Sequence, residues 1–82
     1  MILYFVNGSK QKKELLESDY ADDVFDALIG FFEEHRKFPH ILEAQEDGDD
    51  LKIVFESQSE YFLLCGASPE EKEEFRGYVN EV

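Results

Sequence analysis

The sequence is poor in cysteine, tryptophan, proline and positive charge, and it lacks any long apolar run. A single cysteine, Cys65, excludes an internal disulfide framework and points to a reducing compartment. The apolar opening Met1–Val6 stops at a polar turn, and no stretch approaches the roughly 20 residues of a membrane helix. Neither a signal peptide nor a membrane anchor is therefore expected, and the expected location is cytoplasmic. Eight Lys and Arg face twenty Asp and Glu, for a net charge of −12. Direct binding to nucleic-acid phosphates or to anionic membranes is not expected from such a balance. There is also no glycine-rich phosphate loop, no serine-centred elbow and no zinc-type set of Cys and His.

What the chain does have is aromatic carbon: eight Phe and four Tyr among 82 residues, 43% of which are hydrophobic. That composition folds despite the charge, and the length fits one domain spanning residues 1–82.

Ile2–Val6 is a run of β-formers followed by Asn7-Gly8, a two-residue hairpin signal. The returning segment, Lys10 to Glu17, is polar except for Leu15 and Leu16. Its Lys10, Lys12 and Lys13 suit an exposed edge strand. A helix is expected from Ser18 or Asp19, with Asp22 and Asp23 in its first turn and His35, Arg36 and Lys37 in its last. Val24, Phe25, Leu28, Ile29 and Phe32 form its apolar stripe, and Gly30 marks either a weak point or close packing on the sheet. Pro39 ends the helix.

Two further strands, Ile41–Glu46 and Leu51–Glu56, flank the acidic turn Asp47-Gly48-Asp49-Asp50. After a polar link, Ser57–Glu60, the run Tyr61–Cys65 is apolar on both faces and takes a central place in the sheet. Ser68-Pro69-Glu70-Glu71 supplies an N-cap, a proline in the first helical position and a capping box. Phe75, Tyr78, Val79 and Val82 line one face of the helix that follows. The order ββαβββα describes an α+β domain, a mostly antiparallel five-stranded sheet packed with two helices. It has two layers if the helices share a face and three if they do not.

Candidate chemistry is sparse. The turn Glu46–Asp50 offers carboxylates to a hard cation, but its spacing lacks the alternating acids and distant glutamate of an EF-hand, so it reads as a solvated hairpin tip. His35, His40 and Cys65 show no spacing that orients a base beside a thiolate. No cofactor, no metal and no enzymatic activity are expected. From Ser18 onward the order α-β-β-β-α matches a double-stranded-RNA-binding domain, but Glu70-Glu71-Lys72-Glu73-Glu74 stands where such a domain needs cations.

The acids are concentrated. Asp19, Asp22, Asp23 and Asp26 gather at one helix start, Glu70, Glu71, Glu73 and Glu74 at the other, and Asp47, Asp49 and Asp50 at a turn. Helix dipoles and turn solubility account for much of this. The sharper reading is a surface that imitates phosphate spacing and docks on a basic protein.

Three segments together carry a family resemblance: Met1-Ile2-Leu3-Tyr4-Phe5-Val6-Asn7-Gly8, then Phe31-Phe32-Glu33-Glu34-His35, then Glu56-Ser57-Gln58-Ser59-Glu60-Tyr61-Phe62. They resemble small uncharacterised proteins encoded by phages and prophages of Gram-positive bacteria. The resemblance covers the first 64 residues or so and leaves out the terminal helix. It implies a phage-encoded accessory protein in a bacterial host cytoplasm, with no catalytic residues to carry over. The expected function is that of a protein–protein interaction module able to self-associate through aromatic surface. The alternative is an acidic nucleic-acid mimic that inhibits a host DNA-binding or defence protein.

Overall fold

A computed structural model describes residues 1–35, 38–56 and 59–82. The elements run β1 (Ile2–Val6), β2 (Lys12–Glu17), α1 (Ala21–His35), β3 (Leu42–Asp47), β4 (Asp50–Phe55), β5 (Tyr61–Cys65) and α2 (Pro69–Asn80). All strand pairs are antiparallel, in the order β2-β1-β5-β4-β3. Tyr61–Cys65 is thus the middle strand, as its apolar character on both faces implied, and the lysine-bearing β2 is an edge.

Both helices lie on one face of the sheet. Leu3 and Phe5 of β1, Leu51, Ile53 and Phe55 of β4, and Phe62 and Leu64 of β5 form one cluster with Val24, Leu28 and Phe32 of α1 and Phe75 and Val79 of α2. This makes two layers. At its centre the Phe62 ring lies 5.3–5.5 Å from those of Phe5, Phe31, Phe32 and Phe55. Edge-to-face and tilted rings at such spacing gain about 0.5–1.5 kcal/mol per pair beyond area burial.

Three local geometries differ from the sequence expectation. The first hairpin does not turn on Asn7-Gly8 alone. Asn7 N–H donates to the Gln11 carbonyl (3.1 Å), Lys10 N–H donates to the Asn7 carbonyl (2.9 Å), and Lys10 takes φ +64°. That is a three-residue loop closed by a left-handed residue. The Asn7 side chain selects it by accepting from Ser9 N–H and Gln11 N–H at 2.9 and 3.1 Å. Lys10 therefore sits in the turn and only Lys12 and Lys13 in the edge strand. The second hairpin is the tight one: Asp47 pairs with Asp50, and Gly48 at φ +62° precedes Asp49 in a two-residue turn.

The second difference is in β2. Leu3 pairs with Leu16 but Tyr4 pairs with Glu14, so Leu15 is the extra residue of a β-bulge. Leu15 and Leu16 both pack against the core cluster, while Lys12, Glu14 and Glu17 share the other face with their partners Val6, Tyr4 and Ile2.

The third lies at the helix ends. Ser18 still belongs to the strand ladder, donating to Met1 O and accepting from the Met1 ammonium, so α1 starts at Ala21. Its expected end at Arg36 and Lys37 lies outside the described residues, as do Ser57 and Gln58 of the polar link. The Ser68 capping box forms in full, with Glu71 N–H donating to Ser68 Oγ (3.2 Å) and Ser68 N–H to Glu71 Oε1 (2.7 Å). Val82 lies past the helix and is 54% exposed, so it does not join the stripe of Phe75 and Val79. No Cβ neighbour lies within 4 Å of Gly30, which makes it a weak point in α1 and not a close contact with the sheet.

The second helix is tied to the edge strand β3 by charge. Arg76 donates to Glu46 Oε1 (2.6 Å) and to the Ala44 carbonyl (3.3 Å), and Lys72 Nζ lies 3.8 Å from Glu46 Oε2.

Candidate interaction surface

With both helices on one side, the other side of the sheet is a layer boundary. Its residues follow from the registers. Glu17, Ile2, Cys65, Asp50 and Asp47 form one row across the strands, and Lys12, Val6, Tyr61, Val54 and Glu43 form the opposite row. Between them lie Glu14, Tyr4, Leu63, Lys52 and Gln45. Among the described residues, no helix packs over this face.

It is nonetheless apolar along its middle. Val6 and Leu63 are only 2% and 7% exposed although neither belongs to the core cluster beneath the helices. Lysine ammonium groups sit over the tyrosine rings of the same face. Lys52 Nζ sits 4.4 Å from the Tyr61 ring centroid, Lys10 Nζ sits 5.2 Å from the same ring, and Lys12 Nζ is 5.5 Å from the Tyr4 ring. Among the described residues, none of these three ammonium groups is ion-paired. Cation–π contacts of this kind are worth about 0.5–1 kcal/mol at exposed sites. The β4 side of the face is grooved: a hollow of about 400 Å³ is lined by Lys52, Val54, Glu43, Gln45, Glu56 and Phe55, with Ile41, 60% exposed, among its walls.

The acids singled out from the sequence go to separate places. The Tyr78 phenol is pushed above its ordinary range, first by partial desolvation and then by the negative charges of Glu74, Asp22, Glu81 and Asp26. The start of α1 and the second half of α2 are thereby brought together. Asp23 accepts from Ser18 Oγ, and Asp22 from the Asp23 N–H. Glu71 is engaged in the capping box, and Glu73 lies 3.7 Å from Arg76 Nε. Asp19 and Glu70 are exposed, each near one helix start. Asp47, Asp49 and Asp50 stand at the β3–β4 tip, at one end of the open sheet face.

Cys65 lies on this face beside Asp50. Burial, then the Asp50 charge and a hydrogen bond to it, push the thiol above its ordinary range against a weaker opposing pull from Lys12. A thiol held protonated is a poor nucleophile. The histidines lie elsewhere: the His35 ring lies tilted against that of Phe31 at 5.0 Å, and the His40 backbone N–H donates to Glu56. Among the described residues, no three His, Cys, Asp or Glu side chains gather in a metal-holding arrangement. No helix among them is long and apolar enough to cross a membrane.

The open face was not anticipated from the sequence, although its signal is there. Ile2-Leu3-Tyr4-Phe5-Val6 is apolar at both parities, as is Tyr61–Cys65. Two such strands need cover on both sides, and two helices packed side by side supply it on one. Comparison with protein-family models, with curated proteins and with solved structures finds no match for this chain.

Proposed function

We propose that the protein is a small interaction module, a phage or prophage accessory protein of the bacterial cytoplasm, which engages a protein partner through the open face of its sheet. One observation carries this: the two adjacent strands at the middle of the sheet are apolar on both faces, while both helices cover the same one. Contiguous apolar surface rimmed by polar residues is characteristic of docking sites. The test is capture from a Gram-positive bacterial lysate at low and high salt, with the chain and its Tyr61→Asp and Val54→Asp variants. A partner retained at high salt and lost with both variants, at unchanged far-UV circular dichroism, supports the reading. Equal capture by all three proteins removes it.

A second reading, an acidic mimic that occupies the nucleic-acid groove of a host DNA-binding or defence protein, draws on the joining of the Asp22- and Asp26-bearing start of α1 to the Glu74-bearing α2 through the Phe25–Tyr78 ring contact, where the charges of all three acids act on the Tyr78 phenol. It requires a basic partner captured at low salt only and lost on combined Asp22→Asn, Asp26→Asn and Glu74→Gln substitution. Capture that survives those substitutions dismisses it.

A further inference from the structure

On the helix side of the sheet, independent of the open face and of its reading as a docking surface, β2 and the second half of α1 leave a seam. A hollow of about 480 Å³ opens there, floored by Phe5 and Phe31 and walled by Asn7, Gln11, Lys13 and His35. Small-molecule sites commonly have volumes of about 300–1,000 Å³. A second hollow, of about 340 Å³, shares Lys13, Phe31 and His35 with the first and extends the seam to Leu15, Ala27 and Gly30. We propose that this seam binds a small aromatic acid, a flat apolar body carrying one carboxylate.

The side chains of the Asn7–Lys13 wall call for the carboxylate. Asn7 Oδ1 is taken up by the Ser9 and Gln11 backbone N–H groups, which fixes the orientation of that carboxamide. Asn7 Nδ2 then donates to Gln11 Oε1 at 3.3 Å, which fixes the second. What the two still present is mainly N–H: both protons of Gln11 Nε2 and one of Asn7 Nδ2, against a single lone pair on Gln11 Oε1. Lys13 adds an ammonium. It pairs with Phe5 and so shares the helix side of the sheet, and among the described residues it makes no ion pair. Lys12 also borders the hollow, but its ammonium stands over Tyr4 on the other face. Among the described residues no acid borders this first hollow, in a chain where 20 of 82 residues are acids. Glu14 and Glu34 border the second. Glu14 shares the open face with its partner Tyr4, and Glu34 stands 3.7 Å from His35 Nε2. Donors in such excess select an anion, and the Gln11–Lys13 wall is where its head belongs.

The body of the ligand has rings to lie on. Phe31 is half-buried, and its ring is 4.5 Å from that of Phe5 and 5.0 Å from that of His35. An aromatic plane gains offset or edge contacts on such a floor and buries apolar area besides. Beyond Phe31 the seam stays open because α1 places Ala27 and Gly30 there, three residues apart on one side of the helix. A Cβ built at Gly30 meets nothing within 4 Å. Gly30 weakens α1 and packs against nothing, and keeping the seam open gives it a role. A ligand of this size in an open site with one ammonium binds with Kd on the order of 1 mM.

Titration of the full chain with naphthoate, followed by amide shifts, tests this beside naphthylmethylammonium, which has the same body and the opposite charge. At net charge −12 the field of the whole molecule favours the cation, so a preference for the anion can come only from local groups. The expected result is saturable shifts at Phe5, Gln11, Lys13, Gly30 and Phe31 with naphthoate, and binding of the ammonium there at least tenfold weaker. Lys13→Glu should weaken naphthoate about tenfold by setting a carboxylate against the ligand's own. Gly30→Leu should do the same by filling the trough, while its thermal midpoint does not fall, since leucine is the better helix former. Lost binding at an undiminished midpoint is not a loss of fold. Equal or tighter binding of the ammonium at these amides overturns the anion site, and so does a naphthoate affinity unchanged by either variant. Naphthoate that shifts no amide of the seam well above the expected Kd, or shifts only open-face amides such as Tyr4 and Leu63, overturns the site altogether.

Discussion

The Arg76 guanidinium of α2 closes on the Glu46 carboxylate of β3 at 2.6 Å, 30 residues apart in the chain. Arg76 also holds the Ala44 carbonyl, and Lys72 shares Glu46. In a chain of net charge −12, neutralising an average surface acid relieves repulsion. Glu46 should behave oppositely. Glu46→Gln is expected to cost about 0.5–1 kcal/mol and Arg76→Met about 1–2 kcal/mol. Asp49→Asn at the hairpin tip should stay within about 0.5 kcal/mol of the parent or be slightly stabilising. Urea unfolding of the three variants decides.

The capping box gives a pH signature. Hydrogen bonds from the Ser68 backbone and then its side chain hold the Glu71 carboxyl below the usual glutamate range. A carboxyl depressed in the folded state contributes stability above its unfolded value, and that contribution is lost as pH falls through the folded value. Glu71→Gln should therefore lower the thermal midpoint at neutral pH, and the gap should close as pH falls below about 4.3. Ser68→Ala should cost about 1 kcal/mol at neutral pH. A gap that is independent of pH would refute the assignment.

Lys10 occupies a backbone region that costs a side-chain-bearing residue about 1–2 kcal/mol, at φ +64°. Lys10→Gly should raise stability by about 1 kcal/mol after the entropic cost of glycine. It also removes one ammonium from the Tyr61 ring, a contact worth about 0.5 kcal/mol at an exposed site, which offsets part of that gain.

Gly30 lies inside α1 with open space where a methyl group would stand. Gly30→Ala should stabilise the chain by about 0.5–1 kcal/mol through helix propensity alone. Phe62→Ala, in contrast, empties the ring cluster at a cost of about 3–5 kcal/mol. That is a large part of the roughly 4–12 kcal/mol available to a domain of 82 residues, so its thermal transition should fall sharply.

How much of this was legible follows the range of each interaction. Ser68-Pro69-Glu70-Glu71 predicts its cap correctly because every group involved lies within four residues. The middle position of β5 was readable from five consecutive residues, since strand side chains alternate and both parities were apolar. The Asn7-Gly8 turn was misjudged because the Asn7 side chain takes two backbone donors beyond it and enlarges the loop. The bulge at Leu15 was invisible, for it exists only in the pairing of β2 with β1. The open face was missed for the same reason: which side of a sheet two helices share is decided by packing, and no local pattern records it. The acid clusters were plain in the sequence, but their separation into a group acting on Tyr78, a set of partnered carboxylates and a sheet-end row was not.

The bulge bears on how far assembly can go. A strand arriving at the outer edge of β2 would meet a ladder broken at Leu15 and flanked by Lys12, Lys13, Glu14 and Glu17. One arriving at β3 would meet Glu43, Glu46 and Asp47. Both borders are poor templates for another strand, so lateral growth of the sheet is disfavoured in both directions. A chain this rich in β-formers thus carries its protection against strand-by-strand growth in the charge and the bulge of its two outermost strands.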